Sequence, residues 1–224
     1  MFTIAIIIPV LNEAAYIKKY GGLFACLDAE VLFVDGGSQD ETGTWLKKHH
    51  LDVIHSHLGR AAQMNQGAAQ FNADIFVFLH ADTEFKAQHL QAIQQVMLDE
   101  TIYSGRFDIC LSGQHRMLRM VEFMINWRSR LTRISTGDQV MFMRRSVFEE
   151  LGGFPMLPLM EDIALSRLLK RKGKVACLRE KVMTSSRRWE EKGILSTIFL
   201  MWSLRFLFFI GVPAKKLHQF YMSK

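Results

Sequence analysis

Ile4-Ala5-Ile6-Ile7-Ile8-Pro9 and, some twenty residues on, Val31-Leu32-Phe33-Val34-Asp35-Gly36-Gly37-Ser38 decide how this chain folds. The first stretch is a short, isoleucine-rich run stopped by Pro9 and Asn12, the pattern of a strand buried on both faces of a parallel sheet. The second is the tail of another such strand, Glu30–Val34, and it ends on an acid followed by two glycines. Between them, Glu13 to Leu27 has the length of a crossover helix, with Asn12 expected at its N-cap.

The alternation continues outward. A helix is expected from Glu41 to His49, a strand at Asp52–Ser56 and a helix from Ala61 to Phe71. The strand Ile75–Leu79 and the helix Lys86–Asp99 follow. Strands alternating with helices of this length predict right-handed βαβ units, hence an α/β fold with a mostly parallel sheet flanked by helices. Ligands in such folds bind beyond the carboxyl ends of the strands. Here those ends carry Asn12-Glu13, Asp35-Gly36-Gly37-Ser38, Gly59-Arg60 and His80-Ala81-Asp82.

The second half is less regular. Met117, Met120, Val121, Met124, Trp127 and Leu131 mark an amphipathic helix over His115–Arg130 with arginines on its other face. A strand near Gln139–Arg144, a turn at Gly152-Gly153-Phe154-Pro155, a helix from Met160 to Lys172 and a strand at Lys174–Leu178 come next. Arg187-Arg188-Trp189-Glu190 is expected in a loop. With no repeat, linker or low-complexity stretch, the 224 residues read as a single domain: a nucleotide-binding half over 1–114, an acceptor and catalytic half over 115–193, and a C-terminal apolar helix and tail over 194–224.

Composition narrows the function classes. Hydrophobic residues make up 49% and charged residues 22%, which excludes a disordered or collagen-like chain. Three widely spaced cysteines, Cys26, Cys110 and Cys177, form no CxxC pair, so neither a disulfide framework nor a structural zinc site is expected, and a reducing compartment fits. The net charge of +6 is uneven: residues 1–114 carry 7 Lys/Arg against 13 Asp/Glu, and residues 115–224 carry 21 against 9. This asymmetry suggests a site with a cation on one side and an anion on the other. Nucleic acid is not the expected partner, because the aromatics of the basic half lie in apolar runs rather than among the charges.

Each candidate motif has a plain structural reading beside the chemical one. Asp35-Gly36-Gly37-Ser38 serves as a tight strand-to-helix turn, or Asp35 accepts from the N–H of a base. No GxGxxG or GxxxxGK[ST] motif occurs. Asp82, after the apolar Phe76–Leu79, either caps the next helix or helps hold a hard divalent cation against a diphosphate. His80 is a ligand, a ribose contact or filler. Glu161-Asp162 is either an acid pair favoured by a helix N-terminus or the source of a general base. His49, His50, His55 and His57 end a helix and cross a loop, and they read as solvated rather than as a metal site.

Taken in order, these residues resemble family 2 glycosyltransferases of the GT-A fold. The resemblance rests on Ile8-Pro9-Val10-Leu11-Asn12-Glu13, Val34-Asp35-Gly36-Gly37-Ser38-Gln39-Asp40, Leu79-His80-Ala81-Asp82-Thr83 and Glu161-Asp162, and it runs from about Ile4 to Tyr221. Gly59-Arg60-Ala61-Ala62-Gln63-Met64-Asn65, Gly137-Asp138-Gln139 and Arg187-Arg188-Trp189-Glu190 make it similar to a small bacterial subfamily associated with radical-SAM and selenium-domain proteins.

The resemblance implies an inverting transfer from a nucleoside-diphosphate sugar, a UDP-sugar first, to an acceptor hydroxyl that is lipid-linked in some relatives. Pro9, Asn12, Glu13, Asp35, Arg60, Asn65 and Ala81 would border the nucleotide. Asp82, with His80 in place of the first acid of the DxD motif, would hold Mg²⁺ or Mn²⁺. Asp162, or failing it Glu161, would be the base. Asp138, Gln139, Arg187, Arg188 and Trp189 would lie against diphosphate and acceptor. The competing readings are a non-catalytic GT-A-like binding or membrane-associated protein and a sugar nucleotidyltransferase. The latter is disfavoured because Asn12-Glu13-Ala14-Ala15 stands where a glycine-rich basic loop would be needed.

The run Ile194–Pro213, fourteen of whose twenty residues are apolar, is long enough at about 30 Å to cross a bilayer. Arg205 past its middle argues against spanning. A helix docked on the domain or on a sister subunit is expected, in a cytoplasmic protein with peripheral attachment to the inner face of the plasma membrane as an option. No secretory signal is expected, because Phe2–Leu11 lacks a basic n-region.

Overall fold

In the computed structural model, which describes residues 1–222, a seven-stranded sheet runs in the order β3-β2-β1-β4-β6-β5-β7. Positions 223 and 224 of the expected tail lie outside the described residues. Strands β1 (Ile4–Val10), β2 (Glu30–Asp35), β3 (Val53–His55) and β4 (Ile75–Phe78) are mutually parallel where they pair, with Ile7 opposite Leu32 and Phe78. Helices α1 (Ala14–Phe24), α2 (Thr42–Lys48), α3 (Arg60–Ala68) and α4 (Ala87–Val96) join and follow them. The α/β expectation holds, and the expected elements of this half lie within a few residues of the observed ones.

Ile4, Ile6, Ile8 and Val10 face one side of the sheet and Ala5 and Ile7 the other, each in its own apolar layer. That two-sided burial is why β1 reads as an unbroken apolar run rather than as an alternating one. Helix α3 lies close against β1 and β2: a Cβ on Gly67 would stand 2.6 Å from Ile7 Cγ2 and 2.8 Å from Val34 Cγ2. Buried Gln63, four residues earlier, donates through Nε2 to the carbonyls of Val10 (2.9 Å) and Val34 (2.7 Å). The clamp ties together the two strand ends from which the site grows.

Beyond α4 the structure departs from expectation in several places. A ten-residue strand, β5 (Ile102–Leu111), was not foreseen and lies inside the sheet between β6 (Met141–Arg144) and β7 (Lys174–Thr184). Its sequence breaks the apolar pattern because Arg106, fully buried, ion-pairs with Asp108 on its own strand. Asp108 also takes Arg130 of α5 (Arg116–Thr132) at 2.6 Å. Gly105 is required there, since a Cβ would meet the Phe142 ring at 2.2 Å.

β6 runs antiparallel to both neighbours and starts after Gln139, because Gly137–Gln139 forms a 3₁₀ turn. β7 continues well past Leu178, held parallel to β5 as far as Thr184. The short helix α6 (Arg145–Glu150) was not expected. After α7 (Glu161–Lys172), the expected loop at Arg187-Arg188-Trp189-Glu190 is instead a five-residue helix, α8 (Arg187–Glu191).

The C-terminal apolar run is divided. α9 (Ile194–Phe209) ends before Gly211, which has φ +92°, and α10 (Ala214–Met222) turns back after Pro213. Leu204 of α9 and Leu217 of α10 are buried together with Met160 and Ile163. Burying each leucine is worth about 1.5–3 kcal/mol. The run therefore docks on the catalytic domain, and among the described residues no helix is long and apolar enough to cross a membrane.

Candidate active site

A cavity of about 610 Å³ opens at the carboxyl ends of β1 and β4 and is closed on its far side by α5, α7, α8 and α9. Pro9, Glu13, Arg60, His80, Ala81 and Asp82 come to it from the first half. Asp138, Glu161, Asp162, Arg187, Arg188 and Trp189 come from the second. Sequence positions more than a hundred apart thus meet in one space.

The loop bearing Asp82 is pinned on both sides. Thr83 N–H donates to the His80 carbonyl (3.1 Å), Glu84 N–H donates to the Met183 carbonyl of β7 (2.8 Å), and the buried Thr83 hydroxyl donates to Thr184 (3.2 Å). Asp82 caps no helix, since α4 begins after Lys86. Burial, then the charge of Asp138, push the Asp82 carboxyl above the usual range. Asp138 Oδ1 is buried without a hydrogen-bond partner, and so is Glu13 Oε2. Burial and the charge of Asp82 raise Glu13 to about 7. Carboxylates crowded together with orphaned oxygens are a donor set that a divalent cation would relieve.

Among the described residues no three His, Cys, Asp or Glu side chains gather into a metal cage. A hard cation on Asp82 and Asp138 would therefore complete its shell with water and substrate oxygens, as Mg²⁺ and Mn²⁺ do in diphosphate sites. His80 keeps only part of its surface open, and burial and Arg60 hold its imidazole neutral, at about 3. A Cβ on Gly137 would come within 2.4 Å of His80 Nε2, so the 3₁₀ turn carrying Asp138 rests directly on this ring.

Opposite stands the acid pair at the start of α7. Met160, at φ +68°, turns the chain so that Glu161 and Asp162 occupy the first turn, where the helix dipole favours negative charge. Asp162 Oδ2 accepts from Gly137 N–H (2.8 Å) and Oδ1 from Ile163 N–H (2.7 Å), which fixes the carboxylate at the cavity wall. Glu161 is buried with Arg60 Nη1 3.6 Å away. Burial and Asp162 raise its carboxyl, against the pull of Arg60.

Cations line the remaining walls. Arg187 lies over the Tyr16 ring (5.0 Å) and Arg188 over the Tyr221 ring (4.1 Å). Arg188 Nε is buried and unpartnered. Trp189 packs against the main core. Two arginines that the sequence did not place at a site belong here as well. Arg205 of α9 lines the cavity, and Arg128 of α5, pushed down to about 10 by burial and by Arg205, stands behind it within the fields of Asp138 and Asp162. Arg205 is the single charged residue of an otherwise apolar helix, whereas Arg128 is one of four arginines in α5.

Four expected residues stand away from the cavity lining. Asn12, at φ +55°, donates its N–H to Ser38 Oγ (2.9 Å) and accepts from Gln39 N–H through Oδ1 (2.8 Å). It ties two loops together, and Glu13 is the residue at the N-cap of α1. Asp35 accepts from Gly37 N–H, Ser38 N–H and Ser38 Oγ through Oδ1, which is the turn reading of this motif, while Oδ2 has His55 at 3.7 Å. Asn65 exchanges two hydrogen bonds with the Phe154 backbone (2.9 and 2.8 Å). Gln139 is fully buried and accepts from Thr136 N–H and Oγ1. Of the four histidines of the second strand region, His49 stacks on Trp45 and His55 faces Asp35.

Comparison with known proteins agrees with this geometry. The chain is similar in structure to the mannosyltransferase PcManGT from Pyrobaculum calidifontis, solved in complex with GDP-Man and Mn²⁺ (20% identity, TM-score 0.62, covering 81% of this chain and 56% of that one). It is also similar to residues 1–349 of TarS from S. aureus in complex with UDP-GlcNAc (18%, TM-score 0.65, 82% and 58%). A third is glucosyl-3-phosphoglycerate synthase from Mycobacterium tuberculosis with Mn²⁺, UDP and phosphoglyceric acid (19%, TM-score 0.64, 95% and 80%). The chain spans less than two thirds of the length of the first two. At these identities the likeness shows the fold, which is GT-A. No curated protein matches the sequence. The model of the family described as "Glycosyl transferase family 2" matches residues 5–152, well over half of the sequence, and the chain therefore belongs to glycosyl transferase family 2.

Proposed function

We propose that the protein is an inverting glycosyltransferase that moves a sugar from a nucleoside-diphosphate sugar, a UDP-sugar first among candidates, to an acceptor hydroxyl. One observation carries this: Asp82 and Asp138, the acid pair Glu161-Asp162, and the arginines 60, 187 and 188 line a single cavity in a family 2 chain. The ligands in the complexes of the structural neighbours, GDP-Man with Mn²⁺, UDP-GlcNAc, and UDP with Mn²⁺, support a nucleotide donor and a divalent cation.

In this reading Asp82 and Asp138, with neutral His80 beside them, hold Mg²⁺ or Mn²⁺. The ion supplies charge stabilisation to the departing diphosphate. Arg187 and Arg188 approach the same oxygens, their guanidiniums oriented by the tyrosine rings before substrate arrives, so that little reorganisation is needed as negative charge develops. Asp162, each oxygen steadied by one backbone N–H, keeps lone-pair positions free for the acceptor. It takes the hydroxyl proton as the acceptor oxygen bonds to the anomeric carbon and the bond from that carbon to the diphosphate oxygen breaks. Glu161, raised by burial and paired with Arg60, serves to hold Arg60 at the wall rather than as the first base.

Replacing Asp162 by Asn keeps its shape and removes its basicity. Transfer should fall by about 10²–10⁴, with affinity for UDP and Mn²⁺ changed little. Near-parental turnover in Asp162→Asn would move the base to Glu161, and a parent protein that binds no nucleoside diphosphate with Mn²⁺ would overturn the reading.

A further inference from the structure

The outer faces of α5 and α9 are apolar where a surface of a folded domain is ordinarily polar. On α9, Leu195, Phe199, Trp202, Phe206 and Phe209 recur at intervals of four and three residues and are 57–75% exposed. On α5, which packs beside α9, Met120, Phe123, Trp127 and Leu131 make a second stripe, 47–68% exposed. The buried residues of α9, Thr197 and Leu204, lie on its other face. The apolar residues therefore surround this helix because one side docks on the domain and the other is left open. Two adjoining stripes of large side chains make a patch far beyond scattered surface apolar residues, and such patches mark an interaction site.

Charge says what the patch meets. From Ile194 to the end of the chain there is no Asp or Glu, while Arg205, Lys215, Lys216 and Lys224 are basic. The one acid of α5, Glu122, is buried and accepts from Leu111 N–H. Arg116 stands one turn before Met120 on the stripe, and exposed Lys215 and Lys216 follow directly on the end of α9. The exposed faces of α5 and α9 carry no acid, so a second copy packed helix to helix on this patch would bring none from either helix to answer the basic residues. An anionic lipid surface answers them and accepts the tryptophans and phenylalanines as well. Trp202 belongs both to this patch and to the lining of the catalytic cavity, so the cavity reaches the same face.

We infer that the protein docks on anionic membranes through the joined outer faces of α5 and α9, with Trp127, Phe199, Trp202 and Phe206 inserted at the headgroup level and Arg116, Lys215 and Lys216 on the lipid charge. The inference stands on the surface alone and holds whatever reaction the cavity performs.

Vesicle flotation tests it, with the full chain and vesicles of phosphatidylcholine alone or mixed with phosphatidylglycerol. The parent should float with the mixed vesicles and not with phosphatidylcholine alone. Arg116→Gln, Lys215→Gln and Lys216→Gln should each weaken binding about fivefold. Trp127→Glu combined with Phe206→Glu should abolish flotation while thermal unfolding stays at the parental temperature, since both side chains already stand in solvent. Light scattering of the parent and of this double variant should give the same mass. Three results would overturn the inference: no flotation by the parent, equal flotation of the double variant, or a parental dimer that the double variant dissolves.

Discussion

Glu13 provides a test of the site's electrostatics that needs no substrate. Its carboxyl sits at the carboxyl end of β1, one oxygen buried without a partner, beside Asp82. Burial first and then the charge of Asp82 raise it from 4.5 to about 7, against the opposing pull of Arg187 and Arg60. The folded protein thus holds this proton more tightly than the unfolded chain does. Stability from this group is complete below pH 4.5 and drains away as pH rises towards 7. At about 1.36 kcal/mol for each tenfold difference in proton affinity, the span would be worth ~3.4 kcal/mol. The side chain is only partly buried, and solvent screening brings the expected cost of the ionised form down to about 1–2 kcal/mol.

Replacing Glu13 by Gln removes the titration and keeps the shape. Urea unfolding of parent and variant, each followed from about pH 4.5 to about pH 8, reads the difference directly. The variant should match the parent at the acid end and exceed it by about 1–2 kcal/mol at the alkaline end. A difference between the two proteins that does not change with pH would refute the reasoning, because the carboxyl would then titrate alike in the folded and unfolded states. A variant that loses stability only at the alkaline end would refute it more strongly, since the ionised carboxylate would then be stabilising.

Two further outcomes follow from the same geometry. Asp82→Ala should lose the part of the thermal stabilisation by UDP that depends on Mn²⁺, which in the parent is about 2.7 kcal/mol at one hundred times Kd; equal metal-dependent stabilisation in both proteins would place the cation elsewhere. Gln63→Leu removes the side-chain donor that the carbonyls of Val10 and Val34 share, although Val10 keeps Gly36 N–H, and should lower stability by about 1–3 kcal/mol in urea unfolding, with the nucleotide site loosened because those carbonyls end β1 and β2.

The first half of the chain is legible because its rule is local. Each strand is an apolar run, each crossover is a helix of ordinary length, and the polar residues that interrupt them fall at one rim. Asp82, Asp138, Glu161 and Asp162 could be named from sequence for that reason and because their motifs follow in a familiar order. β5 could not be read, because a buried Arg106 answered by Asp108 two residues on looks, residue by residue, like a solvated stretch. The groups that complete this burial lie on α5, some twenty positions away: the Asn126 carbonyl accepts from Arg106, and Arg130 pairs with Asp108. Asn65 and Gln139 show the converse. Their residue types suit a ligand contact, but whether an amide turns to a ligand or to a backbone is decided by loops such as Gly152–Phe154 that no local pattern describes. Arg128 was missed because no local pattern marks which of the four arginines of α5 turns inward, and Arg205 was weighed only against membrane spanning because a helix docked on one side and open on the other has no polar face.

The charge asymmetry between the halves suggested a cation on one side of the site and an anion on the other, and the fold redistributes it. Glu13 and Asp82 come from the acidic half, but Asp138, Glu161 and Asp162 come from the basic half, while Arg60 crosses the other way to face Glu161. A site for a divalent cation and a diphosphate together has to interleave the two signs within a few ångströms. Segregated walls would leave each sign desolvated without its counter-charge. The surplus positive charge of residues 115–224 is accordingly found outside the cavity. Lys170, Arg171, Lys172, Lys174, Arg179, Lys181, Lys215 and Lys216 all stand exposed away from its lining. Their number serves long-range attraction to an anionic partner rather than the chemistry of the cavity. The positive charge of the second half is thus divided: Arg187, Arg188 and Arg205 stay at the cavity, and those exposed residues lie on the end of α7, on β7 and on α10.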